Sequence, residues 1–241
     1  MKRVDKMSSE EVLNLIKPPV QVKSLAAFEN LVDDTARLTF IEMPYFDAFK
    51  HIAAQIKQEN VEGDVVNVGI YRGGGSLYMK ALFEELTMQK QWWLFDSFSG
   101  FNLSNITSPK EVLAHEWFNN YLRRTEAPTK AGVVSLFEAA GLNQLLTVVE
   151  GFIEETHVMF TSKNICLLHI DVDFYASTHN CLACFYDKVS EGGWIIVDDY
   201  NLPNTDCKEA VDDFRAKHHI KSQLKVLGNY QVGWQKRTLT V

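Results

Sequence analysis

No run of roughly eighteen consecutive apolar residues occurs anywhere in this 241-residue chain, which leaves no segment able to cross a bilayer as a helix. Positive charge is scarce: 24 Lys and Arg stand against 31 Asp and Glu, for a net charge of -7. A general affinity for nucleic acid or for anionic membrane needs clustered basic residues, so small molecules or proteins are the expected partners. Cysteine is limited to Cys166, Cys181, Cys184 and Cys207. The C-x-x-C at 181 and 184 falls in a helical pattern and has no second Cys or His pair at zinc spacing, so buried reduced thiols are expected. The N-terminal MKRVDKMSSEEVLNLIK lacks the apolar core of a signal peptide, and a cytoplasmic location is expected. Neither G-x-x-x-x-G-K-[ST] nor G-x-G-x-x-G is present, which argues against an NTPase and against dinucleotide binding. No internal repeat or low-complexity tract is seen.

What remains is a chain 46% hydrophobic and 23% charged, enough to bury the core of one α/β domain. Residues 1–38 read as an amphipathic helical segment interrupted by Pro18 and Pro19, suited to a cap or to an oligomer contact, and a homo-oligomer is expected. From Pro44 onward helices and strands alternate. A helix is expected from Tyr45 to about Gln58, a strand from Asp64 to Val68 and a helix from Ser76 to Leu86. A strand from Trp92 to Phe95 follows, ending in Asp96. Phe98 to Thr129 reads as irregular, with Gly100, Asn102, Asn105, Pro109 and Pro128, and is long enough to be a lid. A helix near Val134 to Ala140, strands Leu146 to Val149, Ile165 to Ile170 and Trp194 to Val197, and a hairpin over Leu224 to Trp234 complete the pattern. The expected fold is a doubly wound, mostly parallel sheet with an antiparallel C-terminal edge.

The stretch LLHIDVDFYASTHNCLACFYDKVSEGGWIIVDDYN carries the chemistry. Asp171 and Asp173 follow one apolar strand and Asp198 and Asp199 follow the next, which places four acids on one sheet edge. Acids so placed repel one another and resist joint ionisation unless a cation or a proton sits among them. Asp171 and Asp173 share a face if the chain stays extended, whereas Asp198 and Asp199 do so only if the chain turns. An all-carboxylate set suits a hard cation such as Mg²⁺. The turn GIYRGGGS after the first strand allows close backbone approach by a ligand, and the helix that follows favours an anionic group at its N-terminus. Asp96, at the end of the second strand, can accept from ribose hydroxyls or can cap its own turn beside Ser97 and Ser99.

Taken in order, GDVVNVGIYRGG, LFDSFSGF, LHIDVDFYAST, GGWIIVDDY and AVDDFRAKH resemble the macrocin O-methyltransferase family (TylF-like) from about Thr39 to the C-terminus. The resemblance implies a class I methyltransferase (Rossmann-like) fold. It also implies S-adenosylmethionine as cofactor, a divalent cation such as Mg²⁺, and a hydroxylated small-molecule acceptor, a sugar or polyol of a natural product. It sets the cofactor against Asn67, Val68, Gly69, Tyr71, Arg72, Gly73 and Gly74 of the first turn, Asp96, Ser97 and Phe98 of the second, and Asp171. Asp171, Asp198 and Asp199 would hold the metal. Asp173 would lie by the acceptor hydroxyl as base, with His115 in AHEWFNNYL as its rival for that role. Arg72 would serve the cofactor carboxylate or an ion pair at the sheet edge. Trp117, Phe118 and Tyr121 would be walls of the acceptor pocket or packing of lid on core. Two departures stand out: Asn67 replaces an acid, and Val172 replaces a glycine of an L-D-G-D-x-Y-x-S-T pattern. They leave open a fold repurposed for another reaction, such as a cyclisation or elimination, or a noncatalytic binding subunit.

Overall fold

A computed structural model describes residues 38–41, 43–203 and 205–237. The N-terminal segment expected over residues 1–38 lies outside these, apart from Leu38. From α1 (Met43–Gln58) the chain runs through β1 (Asp64–Val68), α2 (Gly74–Glu85), β2 (Trp92–Asp96), α3 (Pro109–Arg124), α4 (Lys130–Ala139) and β3 (Leu146–Glu150). It continues through the single turn α5 (Ile153–Thr156), β4 (Ile165–Ile170), α6 (Tyr175–Phe185), β5 (Val189–Val197) and α7 (Cys207–Lys217), ending in β6 (Lys225–Val226) and β7 (Val232–Gln235). The strands form one sheet in the order β3-β2-β1-β4-β5-β7-β6. The first five run parallel, and β7 is antiparallel to both β5 and β6. This is the doubly wound sheet with an antiparallel edge that the alternation implied, and strand order reverses between β1 and β4.

Side chains at successive strand positions point to opposite faces, so each strand feeds two cores. Val65, Trp92, Leu167 and Trp194 pack under α1 and α2 with Tyr45, Phe46 and Phe49. Val66, Phe95, Leu168 and Ile195 pack on the other face with Leu182 and Phe185 of α6 and Phe214 of α7. Both faces of β4 are covered, which is why ICLLHI reads as a continuous apolar run rather than an alternating one. Each such large apolar side chain contributes roughly 1.5–3 kcal/mol by leaving water.

Three local expectations need correction. Phe98 to Thr129 is not irregular throughout: it holds a 3₁₀ turn at Leu103–Asn105 and the sixteen-residue α3. Pro109, read as a loop signal, sits at the start of α3, where a missing N–H costs nothing, and Ser108 caps the helix by accepting from the Glu111 N–H at 3.3 Å. α4 starts at Lys130 rather than near Val134, because Thr129 caps it through the Gly132 N–H at 3.1 Å. β5 starts at Val189 rather than Trp194, with Gly192 at φ 81° inside it, so the glycine pair bends the strand instead of preceding it. Cys181 and Cys184 do lie inside α6, and all four thiols are free; burial pushes Cys166 up to about 12.

Register decides what meets at the sheet edge. Val68 pairs with Ile170, and Ile170 with Val197, so β1, β4 and β5 end side by side. The ladder runs one step further: Asp171 N–H donates to the Val68 carbonyl and Asp198 N–H to the Ile170 carbonyl, each at 2.8 Å. Gly69 makes the first approach possible, since a Cβ at that residue, with φ +78°, would lie 1.7 Å from the Asp171 carbonyl oxygen. Gly69→Ala therefore abolishes folding or costs more than about 4 kcal/mol in urea unfolding. Gly100→Ala, at φ +82° with nothing within 4 Å of the added methyl, costs only about 1–2 kcal/mol. Equal costs would mean that the approach of β4 to β1 at Gly69 is not what the glycine serves.

Candidate active site

Four non-glycine residues hold left-handed backbone directly after the strands that converge here: Tyr71 (φ 52°) after β1, Phe98 (φ 50°) after β2, Asp173 (φ 63°) after β4 and Asp199 (φ 51°) after β5. Such conformations are unfavourable for L-residues and persist only where surroundings enforce them. Each turns the chain sharply off the sheet edge. At Asp199 the turn resolves the geometric problem of two consecutive acids, for it brings Asp199 round to Asp171 and Asp173. One oxygen from each of these three carboxylates lies within 4.8 Å of the other two.

Asp198 stands beside this group rather than in it. It is 5% exposed, and its Oδ1 accepts from Gln231 Nε2 at 2.6 Å and from the Asp199 N–H at 3.1 Å. Burial raises the pKa of Asp171 and Asp199 well above the ordinary carboxylate range, and the charges of neighbouring aspartates raise both further. Burial likewise pushes Asp173 up to about 6. The site is thus a group of acids whose joint ionisation is resisted by burial and by their mutual repulsion.

The acids open onto a cavity of about 430 Å³, lined also by Asn67 to Tyr71, Asp96 to Asn102 and Gly151 to Glu154. That volume lies in the range of small-molecule sites. Of the residues expected against a cofactor, Asn67, Val68, Gly69, Tyr71, Asp96, Ser97, Phe98 and Asp171 line it, while Arg72, Gly73 and Gly74 do not. Gly73 packs against Val133 and Phe137, and Gly74 against Leu38, whose carbonyl accepts from the Gly74 N–H at 3.0 Å. These two glycines make room for protein rather than for ligand. Arg72 lies beside the Tyr71 ring and donates to the Glu126 carbonyl, so it ties the β1 turn to the segment after α3. Asp96 caps: Oδ2 accepts from the Ile70 and Tyr71 N–H groups at 2.8 and 2.9 Å and Oδ1 from the Phe98 N–H at 2.8 Å. It staples the turn after β1 to the turn after β2 while still facing the cavity.

α3 roofs the cavity with Trp117, Phe118 and Leu122. Tyr121 is buried instead and meets the Tyr71 hydroxyl at 3.1 Å. His115 is not among the lining residues; its ring is edge-on to Phe101 and its Nε2 is 2.8 Å from Asn119 Nδ2.

Sequence reasoning missed three buried polar groups. Glu111 is fully buried and takes the Tyr175 N–H at 2.7 Å on Oε1, capping α6, and the Thr107 N–H at 2.7 Å on Oε2. It docks α3 on the helix that follows the acid loop, and the capping pattern Ser108-x-x-Glu111 was its signal. His169, one layer below Asp171, bonds through Nδ1 to Asn67 Oδ1 at 2.9 Å, while Asn67 Nδ2 donates to Ser76 Oγ at 2.8 Å. Burial lowers His169 to about 3, so the pair is neutral, and the amide that replaces an acid is matched by an uncharged partner. Gln231, ahead of β7, is the third.

A family model described as Macrocin-O-methyltransferase (TylF) matches residues 31–236. The chain belongs to the macrocin O-methyltransferase family. It is 27% identical over 206 residues to Mycinamicin III 3''-O-methyltransferase of Micromonospora griseorubida, covering 84% of this chain and 80% of that protein. Demethyldecarbamoylnovobiocin O-methyltransferase of Streptomyces niveus is 27% identical over 202 residues, covering 82% and 75% respectively. The structure of the O-methyltransferase NovP superposes with a TM-score of 0.78 at 24% identity, over 95% of this chain and 98% of that one. The methyltransferase fold implied by the sequence resemblance is the fold of this family member, which is an O-methyltransferase by descent.

Mutual repulsion in this family member has a measurable sign. Asp199 has its folded pKa raised, so it is tolerated below the ordinary carboxylate value near 3.8 and weakens the fold progressively as pH rises above it. In chelator, Asp199→Asn should therefore raise the melting temperature relative to the native chain more at pH 8 than at pH 5. A gap equal at both pH values, or one larger at pH 5, would show that the acids are not in conflict.

Proposed function

We propose that this enzyme transfers the methyl group of S-adenosylmethionine to a hydroxyl of a small glycosylated or polyhydroxylated natural product, with a divalent cation such as Mg²⁺ at the aspartate group. The observation that carries the reading is the trio Asp171, Asp173 and Asp199 within 4.8 Å, half-buried, with raised pKa values and facing a ligand-sized cavity. The donor set fits the ion: hard carboxylate oxygens in excess suit Mg²⁺, which retains water positions that acceptor oxygens can take. Asp171 and Asp199 of that trio would hold it, with Asp198, which stands beside them, as the third ligand that the family resemblance implies.

S-adenosylmethionine supplies an electrophilic methyl on a sulfonium. A cation held by the aspartates would lower the pKa of an acceptor hydroxyl. The residues of the chain do the rest. The turn Gly69–Tyr71, held by Asp96, offers a rigid backbone edge for the cofactor, and the turn after β2 closes beside it. Asp173 takes the acceptor proton as the new C–O bond forms and the C–S bond breaks, leaving S-adenosylhomocysteine. Burial pushes the Asp173 carboxyl up to about 6 and so makes it a stronger base than an exposed aspartate. Trp117, Phe118 and Leu122 cover the acceptor and exclude water. His115, turned to Phe101 and Asn119, takes no part in this account.

Incubation with S-adenosylmethionine, Mg²⁺ and a panel of deoxysugar-bearing acceptors should give a product heavier by one CH₂, and excess chelator should suppress it. Asp173→Asn should lower kcat roughly 10²–10⁴-fold while S-adenosylhomocysteine affinity stays within about twofold. His115→Ala should change kcat by less than that. Absence of cofactor binding to the native chain, or a chelator-resistant rate, would overturn the reading.

A further inference from the structure

The aspartates converge from β4 and β5, but the hydrogen-bond donor that holds one of them comes from the far end of the chain. Gln231 sits at the base of the C-terminal hairpin, immediately before β7, and is 3% exposed. Two backbone contacts fix this part of the chain: the Leu227 N–H donates to the Gln231 carbonyl at 2.9 Å, and the Asn201 N–H to the Tyr230 carbonyl at 3.1 Å. The Gln231 side chain reaches across to Asp198, with Nε2 to Oδ1 at 2.6 Å. Its own Oε1 is buried with no hydrogen-bond partner among the described residues. Leaving an amide oxygen so placed is unfavourable, and a well-packed apolar side chain would avoid it. Gly228 makes the arrangement possible, because a Cβ there would lie 2.2 Å from Gln231 Oε1. The amide is thus kept where it is half-satisfied, and its one bond goes to a carboxylate of the acid cluster.

We propose that Gln231 is a positioning residue for the metal: by engaging Oδ1 of Asp198 it fixes the rotamer of that carboxylate beside the cation's site. This deepens the metal-dependent reading above and rests on it. The contact supplies a neutral donor to a group of like charges and, with the Asp199 N–H on the same oxygen at 3.1 Å, holds the Asp198 carboxylate in one orientation. Hydrogen-bonded partners of metal ligands commonly contribute 10–100-fold in metal affinity. The antiparallel hairpin then belongs to the site and does more than close the sheet.

The test is titration of the full chain with Mn²⁺, followed by electron paramagnetic resonance and by calorimetry, for the native protein, Gln231→Leu and Gln231→Glu. Gln231→Leu keeps the bulk, removes the donor and should weaken Mn²⁺ binding about 10–100-fold. Gln231→Glu sets a carboxylate against Asp198 and should weaken it at least as much. Melting temperature in chelator and affinity for S-adenosylhomocysteine report whether a variant has merely loosened the fold; both should stay close to native values in Gln231→Leu. If Mn²⁺ affinity in folded Gln231→Leu stays within twofold of native, the proposal is overturned. If loss of Mn²⁺ affinity is matched by loss of cofactor affinity and melting temperature, the role is structural and the proposal is likewise overturned. No Mn²⁺ binding by the native chain would instead sink the metal-dependent reading itself, an outcome distinct from either.

Discussion

Everything at the working edge of this sheet depends on one unfavourable interaction, the crowding of half-buried aspartates at the ends of β4 and β5. Four acids placed within reach of one another must give up charge or gain a counter-charge. The fold imposes that choice by strand register: the last rungs of β1, β4 and β5 are level, so Asp171 and Asp198 leave the sheet as neighbours. Left-handed turns at Asp173 and Asp199 then swing the remaining acids into the same place. Hydrophobic burial of both sheet faces supplies the stability against which this local strain is set. Asp96 ties the turns after β1 and β2 together, and Gln231 bonds Asp198, so the crowded edge is held from both sides.

Much of this was legible in the sequence because the responsible patterns are local. ICLLHI and DVVNV are apolar runs bounded by acids and glycine, and they are strands to the residue. The four aspartates could be placed at strand ends by inspection, and the need for a turn between Asp198 and Asp199 followed from strand geometry alone. The glycine turn was readable as a turn but not as to its purpose. Gly69 serves the approach of β4, while Gly73 and Gly74 accommodate α4 and Leu38, a distinction that depends on which chain packs on which.

What stayed hidden is non-local. α3 was obscured by Pro109, whose meaning reverses when it stands at a helix start behind a capping serine. Glu111 reaches Tyr175 across 64 positions, His169 reaches Asn67 across 102 and Gln231 reaches Asp198 across 33, and no spacing rule connects such pairs. The substitution of Asn67 for an acid looked like damage to the cofactor site when considered alone. Beside a neutral His169 it is one half of a balanced buried pair, and both ends of the amide are used within the protein.

The central claim is that the aspartate cluster is built to take a cation, and calorimetric titration of the native chain with Mg²⁺ near pH 6.5, in buffers of differing ionisation enthalpy, addresses it most directly. Carboxyls held above their ordinary pKa by burial and by each other must shed protons when a cation replaces them. One ion per chain with net proton release, both lost in Asp171→Asn and Asp199→Asn, is the predicted result. Absence of binding, or binding without proton release that survives those substitutions, would contradict the account.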